Sequence, residues 1–305
     1  MKIATLFKTL FASLALMSLS LTAHAQMNIV TTTGMIADLT ENIGGTAVKV
    51  TSLMGTGVDP HLYKATQGDL RKLMKADVIL YNGLHLEGKM QDIFEKMARK
   101  KPVYAVANNI SESKLITDHL HSDPHIWFDI KLWLVAGQNV LDILIKHDPK
   151  HQADFQANAE AYFQKLNELH EWTIQQIQTI PEQQRILITA HDAFGYFGQA
   201  YGLKVRGLQG ISTAAEFGLQ DIKQLKDVIV ANQIKAVFVE SSVSPRFIQS
   251  LVKGVAAEGH QLKIGGELFS DAMGLTNTAE GNYIGMVTHN VNTIVSALKG
   301  ANTHE

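Results

Sequence analysis

Apolar positions along this chain recur with two different periods, and the longer of the two organises the rest. Between Pro149 and Ile180, Phe155, Ala159, Tyr162, Leu166 and Leu169 alternate steps of four and three, and Thr173, Ile177 and Ile180 carry the stripe onward. That spacing predicts one face of an amphipathic helix. Asp148-Pro149 supplies a start, an acceptor for free amides followed by a proline at the first helical position, and Pro181 supplies the stop. Roughly 30 residues rising about 1.5 Å each would span about 45 Å, longer than a small domain is wide. The stretch therefore reads as a rod between two lobes rather than a coiled-coil arm.

On both sides of the rod the pattern shortens to strand-length apolar and β-branched runs separated by helical ones. Strands are predicted at 28–33, 48–54, 78–82 and 103–106, with helices at 35–43, 68–74, 86–100 and 130–146. After the rod, strands at 185–190, 204–208, 236–240 and 262–266 alternate with helices at 192–201, 215–231, 245–258 and 279–299. Strands alternating with helices imply parallel sheets covered on both faces. The fold class is thus α/β, with two lobes, each a mainly parallel sheet flanked by helices, joined by one long rigid helix. The expected division is a signal peptide at 1–25, an N-terminal lobe at 26–147, the linking helix at 148–181 and a C-terminal lobe at 182–305.

Composition narrows the chemistry. Lys and Arg (27) nearly balance Asp and Glu (29) over 305 residues, so nothing favours nucleic acid as a partner. There is no cysteine, which excludes thiolate chemistry, whereas 13 histidines make imidazole plentiful. Lys2 and Lys8, the apolar stretch Leu10 to Leu21 and Ala23-His24-Ala25 have the form of an export signal, too short for a comfortable membrane span. With no cysteine after that stretch, a soluble monomer in the periplasm without a lipid anchor is expected.

Four side chains fall just beyond predicted strands: His61 in the turn after the second, His125 in Asp123-Pro124-His125 after the fourth, His191 directly after Ala190, and Asp271 after Leu268-Phe269-Ser270. Ligands of open parallel sheets bind at the carboxyl ends of strands. Two candidates come from each lobe, so facing lobes could bring all four to one ion. Imidazoles with one carboxylate suit zinc or manganese, whereas calcium and magnesium prefer oxygen shells. Asp59 and Asp123 could orient neighbouring groups, or could simply be turn residues before proline. Spacing alone leaves a metal cleft and scattered surface histidines both open.

Six blocks sharpen the reading. Thr31-Thr32-Thr33-Gly34-Met35-Ile36-Ala37-Asp38, Val58-Asp59-Pro60-His61-Leu62-Tyr63, Tyr81-Asn82-Gly83-Leu84-His85-Leu86-Glu87, Asp123-Pro124-His125-Ile126-Trp127-Phe128-Asp129, Thr189-Ala190-His191-Asp192-Ala193-Phe194-Gly195-Tyr196-Phe197 and Gly265-Gly266-Glu267-Leu268-Phe269-Ser270-Asp271-Ala272-Met273-Gly274 occur in this order. Together they resemble the signature blocks of the zinc/manganese-binding periplasmic proteins of ABC importers, the ZnuA-like family. The resemblance covers essentially the whole mature chain. It implies His61, His125, His191 and Asp271 as ligands of Zn2+ or Mn2+, carried as cargo to an inner-membrane ABC permease and its ATPase. Many manganese-specific relatives have glutamate at the position of His191, so this histidine leans the expectation toward zinc or dual use.

The remaining histidines are read as bystanders. His85 also follows a strand, but the family's block often has asparagine there. His119 and His121 read as solvated loop residues and weak scavengers at most. His147, His151, His170 and His260 read as surface residues, and His289 as packed in the last helix. Glu240 ends a strand toward the same cleft. It sustains the competing reading, a periplasmic zinc-dependent hydrolase, because such an enzyme needs a positioned base. Against that, four protein ligands leave no open position on tetrahedral zinc, and no His-Glu-x-x-His helix or Gly-x-Ser-x-Gly turn occurs. A binding protein, not an enzyme, is the expectation.

Overall fold

The computed structural model describes residues 26–117, 121–214 and 218–300. The export signal, His119 and the tail beyond Gly300 lie outside the described residues. Four parallel strands, β1 (Met27–Thr31), β2 (Val48–Ser52), β3 (Val78–Tyr81) and β4 (Val103–Ala105), form the first sheet in the order β2-β1-β3-β4. Helices α1 (Gly34–Gly44), α2 (Gln67–Lys75) and α3 (Gln91–Ala98) connect them, and α4 (Ile130–His147) closes the lobe. Asp129 caps α4, accepting from the Lys131 amide at 2.8 Å.

The second lobe holds β5 (Ile186–His191) beside β6 (Lys204–Gln209) and β7 (Ala236–Glu240) beside β8 (Lys263–Leu268), both pairs parallel. Helices α6 (Gly195–Tyr201), α7 (Leu219–Ala231), α8 (Arg246–Ala256) and α9 (Tyr283–Leu298) alternate with these strands. The single sheet expected here is two hydrogen-bonded pairs among the described residues. Between the lobes runs α5 (Gln152–Gln178), 27 residues long and preceded by a 3-10 turn at Pro149–His151. The turn arises where Asp148 bonds the His151 ring at 2.6 Å instead of capping backbone amides. At the other end Arg185 donates to the Ile180 and Gln178 carbonyls, satisfying acceptors that the last helical turn leaves free.

One predicted element is broken. The helix expected at 86–100 begins only at Gln91. Gly83, Leu84 and His85 all have positive φ (86°, 52° and 63°), and the turn they make replaces the first helical turns. Glu87 fixes that turn, its carboxylate accepting from the Asn82 and Gly83 amides and from the Thr32 hydroxyl.

Strand side chains alternate between two faces, and both faces are covered. Ile29 and Leu80 of the first lobe, Leu187 and Phe238 of the second, the α5 stripe Phe155, Leu166 and Ile177, and Tyr283, Val291 and Ile294 of α9 form one continuous buried core. Their strand neighbours Val30 and Ile79, and Ile188 and Val237, pack outward into two separate clusters beneath the outer helices. The two lobes are thus fused along their inner faces through the rod. Polar ties cross the same seam: Trp127 donates its indole N–H to the Ser270 carbonyl at 3.0 Å, Tyr283 donates to the Trp127 carbonyl at 2.6 Å, and Tyr162 donates to Asp38 at 2.8 Å.

A shared core predicts shared unfolding. Leu166→Ala, which removes a fully buried side chain from the middle of α5, should destabilise the protein by about 2–5 kcal/mol. Denaturant unfolding of this variant, followed by intrinsic fluorescence and far-UV dichroism, should remain one coincident transition. Two separated transitions would contradict a common core.

Candidate metal centre

His61, His125, His191 and Asp271 meet where the lobes face each other, all four buried. Each arrives from the end of a different strand connection. His61 lies in the turn after β2, His125 immediately before the 3-10 turn Ile126–Phe128, His191 is the last residue of β5, and Asp271 follows β8. Their nearest nitrogen and oxygen atoms all lie within 4.8 Å of one another.

The separations have a chemical scale. The Nε2 of His125 is 3.3 Å from that of His61 and 3.4 Å from that of His191. Asp271 Oδ2 is 3.7 Å from His61 Nε2 and 3.3 Å from His191 Nε2, and Oδ1 is 3.4 Å from His125 Nε2. Ligands bonded at about 2.0–2.1 Å to a tetrahedral ion lie about 3.3 Å apart along each edge. Five of the six pairwise separations thus lie at 3.3–3.7 Å, near the edge of such a shell, and all four groups lie within 4.8 Å of one another.

Ring orientation is fixed from behind. His125 Nδ1 pairs with Asp123 Oδ1 at 2.7 Å, and the same oxygen accepts from the His125 amide at 2.9 Å. His191 Nδ1 pairs with Glu240 Oε2 at 2.5 Å, while Oε1 accepts from the His191 amide at 2.8 Å. A carboxylate on Nδ1 places the proton there and turns the Nε2 lone pair toward the centre. Glu240 is thus a buried hydrogen-bonding group behind His191, and Asp123 is an orienting residue as well as a turn residue. Asp59 differs: it accepts from the His61 amide at 2.8 Å and from the Thr213 hydroxyl at 2.6 Å and does not hold the ring. The Thr213 contact, and a bond from Thr56 to the Gly274 carbonyl at 3.0 Å, tie the His61 turn to the second lobe. Nothing local in the sequence marks either pair.

Asp271 is the unusual member. Both carboxylate oxygens are buried and neither has a hydrogen-bond partner. Burial alone would push its pKa up, but His191, His125 and His61 outweigh this and hold it well below the usual carboxylate range. Burial likewise opposes charge on His125, yet Asp123 and Asp271 prevail and push it up to about 9. His191 is raised well above its ordinary value against burial by Glu240 and Asp271. His61 has no carboxylate behind its ring, and burial takes it down to about 3 in spite of Asp271.

Elsewhere the bystander histidines divide. His170 is buried and pairs with the Tyr201 hydroxyl at 3.1 Å, which corrects its reading as a surface residue: it sits on the inner face of α5, one step from the apolar stripe. His289 bonds the Glu267 carbonyl at 3.0 Å from α9. His85 and His121 are exposed and face each other outside this centre. Asp192 does not cap a helix, because α6 starts only at Gly195 behind Phe194.

The family described as "Zinc-uptake complex component A periplasmic" matches residues 29–297. This chain belongs to that family. It is 52% identical over 297 residues to the manganese-binding lipoprotein MntA of Bacillus subtilis, covering 95% of this chain and 97% of the relative. It is 48% identical over 271 residues to the zinc-binding protein TroA of Treponema pallidum, covering 88% of each. The solved structure of Treponema pallidum TroA superposes with a TM-score of 0.89 over 90% of this chain and 99% of that one. The α/β architecture with lobes joined by a long helix is therefore that of the family.

These relatives overturn one expectation. An unanchored periplasmic protein was inferred from the missing cysteine, but the Bacillus relative is a lipoprotein by name, as are further relatives. Absence of a thiol bears on one attachment chemistry and does not establish where or how the protein is held, so the inference of an unanchored protein is withdrawn.

The charge state of the centre generates a pH prediction. A metal held by His125 would have to displace the proton that a raised pKa keeps there, so apparent affinity should rise with pH toward about 9. Each displaced proton contributes about tenfold per pH unit. Calorimetry at pH 7 in buffers of different ionisation enthalpy should register net proton release on zinc binding. Heats independent of buffer would contradict this.

Proposed function

We propose that this protein captures a divalent transition metal, zinc or manganese, with His61, His125, His191 and Asp271 as its ligands, and delivers it to an ABC permease driven by its ATPase in the inner membrane. The observation that carries the reading is Asp271: a carboxylate buried without a hydrogen bond, facing three imidazole nitrogens at 3.3–3.7 Å. Burying a carboxylate among three imidazoles without a hydrogen bond is costly, and a cation at the centre engages all four groups at once. With Asp271 binding through one oxygen the shell has four members, which suits zinc. With both oxygens it has five, closer to what manganese accepts. The names of the two relatives divide in the same way, one manganese-binding and the other zinc-binding. The proposed division of the chain remains 26–147 and 182–305 for the lobes, with 148–181 between them.

A hydrolytic reading finds no support in the geometry. It requires an open metal position and a free base, yet Glu240 is engaged by two N–H groups of His191 and Asp123 by two of His125. Asp59 is taken up by the His61 amide and Thr213. We therefore read the protein as a carrier and not an enzyme.

Competition titration of metal-stripped protein against a chelator tests the assignment. Ala at His61, His125, His191 or Asp271 should each abolish tight binding with the fold intact by circular dichroism. Glu240→Gln should weaken zinc by about 10–100-fold, as loss of an orienting carboxylate does. Unchanged affinity in two of the four alanine variants would overturn the ligand set.

A further inference from the structure

We propose that the cavity between α1 and the segment after β8 is the route by which a hydrated divalent cation reaches the deep centre, with Glu41 at its mouth and Asp38 on its wall. The inference rests on the reading of His61, His125, His191 and Asp271 as ligands and adds how an ion gets to them. The cavity measures about 240 Å³, space for an ion with about six waters at roughly 30 Å³ each. Asp271 lines it, buried and without a hydrogen bond on either oxygen.

One side of α1 forms the wall. Gly34, Ala37, Asp38 and Glu41 line the cavity, and their steps of three, one and three place them on a single helix face. Met35, Ile36, Leu39 and Ile43 occupy the other face and are buried in the core. From Gly34 to Glu41 the face runs about 10 Å along the axis, from the half-buried Asp38 to the exposed Glu41. Asp38 is held in place, its Oδ2 accepting from the Tyr162 hydroxyl at 2.8 Å and the Tyr283 amide at 3.4 Å. Burial, and after it the charge of Asp38, push the Glu41 pKa up, and a cation beside the pair relieves both effects. No lysine, arginine or histidine stands among the described residues that line the cavity.

The opposite walls are loops. Ser52 to Thr56 lead into the turn that carries His61, and the residues from Asp271 to Gly274 follow β8. The Thr56 hydroxyl, bonded to the Gly274 carbonyl at 3.0 Å, joins them. A Cβ at position 34 would stand 3.2 Å from Met273 Cε, so glycine keeps the passage open beside a flexible thioether. Two segments bearing candidate ligands therefore bound the cavity, and displacement of either one widens it.

A route acts on rates. Carboxylates along it raise the local concentration of cations and speed association. Its width affects entry and release alike, because both cross the same barrier, and leaves their ratio unchanged.

Stopped-flow mixing tests this: metal-stripped protein with zinc for association, zinc-loaded protein with excess chelator for release, free zinc being read by a fluorescent indicator. Ala37→Leu, which adds bulk to the wall, should slow both rates about tenfold with affinity held within about threefold. Glu41→Lys should slow association about tenfold at low ionic strength, and the difference should shrink in high salt. Glu182→Lys makes the same charge change at an exposed position before β5, whose other end is His191, and should match wild type. The proposal is overturned if Glu41→Lys associates within about twofold of Glu182→Lys, or if folded Ala37→Leu keeps both rates within about twofold of wild type. Circular dichroism checks the fold of Ala37→Leu, and the exposed Glu41 decides the matter alone if that variant misfolds. Stoichiometry and affinity, titrated on the same samples, decide the ligand set of the deep centre separately.

Discussion

A buried carboxylate without a hydrogen-bond donor is the constraint around which this molecule is arranged. Asp271 faces the Nε2 atoms of three histidines, two of them aimed by carboxylates of their own. Asp123 and Glu240 therefore have a double role. They fix the tautomer and direction of His125 and His191, and they surround the centre with negative charge that favours positive charge there. His61, with no such partner behind its ring, is the ligand candidate whose position depends on its loop.

That asymmetry bears on how an ion enters and leaves. The core running from the first sheet through α5 to α9 is continuous, so rotating one lobe against the other would open apolar surface along its length. Neither proline nor glycine interrupts α5 to permit a kink. The groups able to move at low cost are those on loops: the turn carrying His61, held to the second lobe by Thr56 and by Thr213 through Asp59, and the segment after β8 carrying Asp271. Exchange by withdrawal of one or two ligands follows from this construction, in contrast to wide hinge closure.

Much of this was legible in the residues. The α5 stripe from Phe155 to Ile177 is buried as its spacing predicts, and the alternation of strands and helices gives parallel pairing throughout. The four candidates stand at strand ends, where parallel sheets bind ligands, but His85 follows a strand as well, and the family resemblance is what set the four apart from it. What was not legible depends on distant partners. The first turns of the helix expected at 86 are lost to a left-handed turn fixed by Glu87 and Thr32, 55 residues apart. The fusion of the lobes into one core, the Thr213–Asp59 tie and the role of Glu240 behind His191 arise from contacts that no periodicity encodes. His170 looked like a surface residue because its polar ring falls beside, not on, the apolar stripe, yet Tyr201 covers it.

Four groups able to hold an ion are already gathered between lobes fused by a continuous core. The most direct test is an anomalous difference map, recorded at the zinc absorption edge, from crystals of protein loaded with one equivalent of zinc. The account predicts one dominant peak within bonding distance, about 2.0–2.2 Å, of His61, His125, His191 and Asp271, with both lobes superposing together on the present structure. A dominant peak elsewhere, or a shell reached only after wide rotation of one lobe, would contradict it.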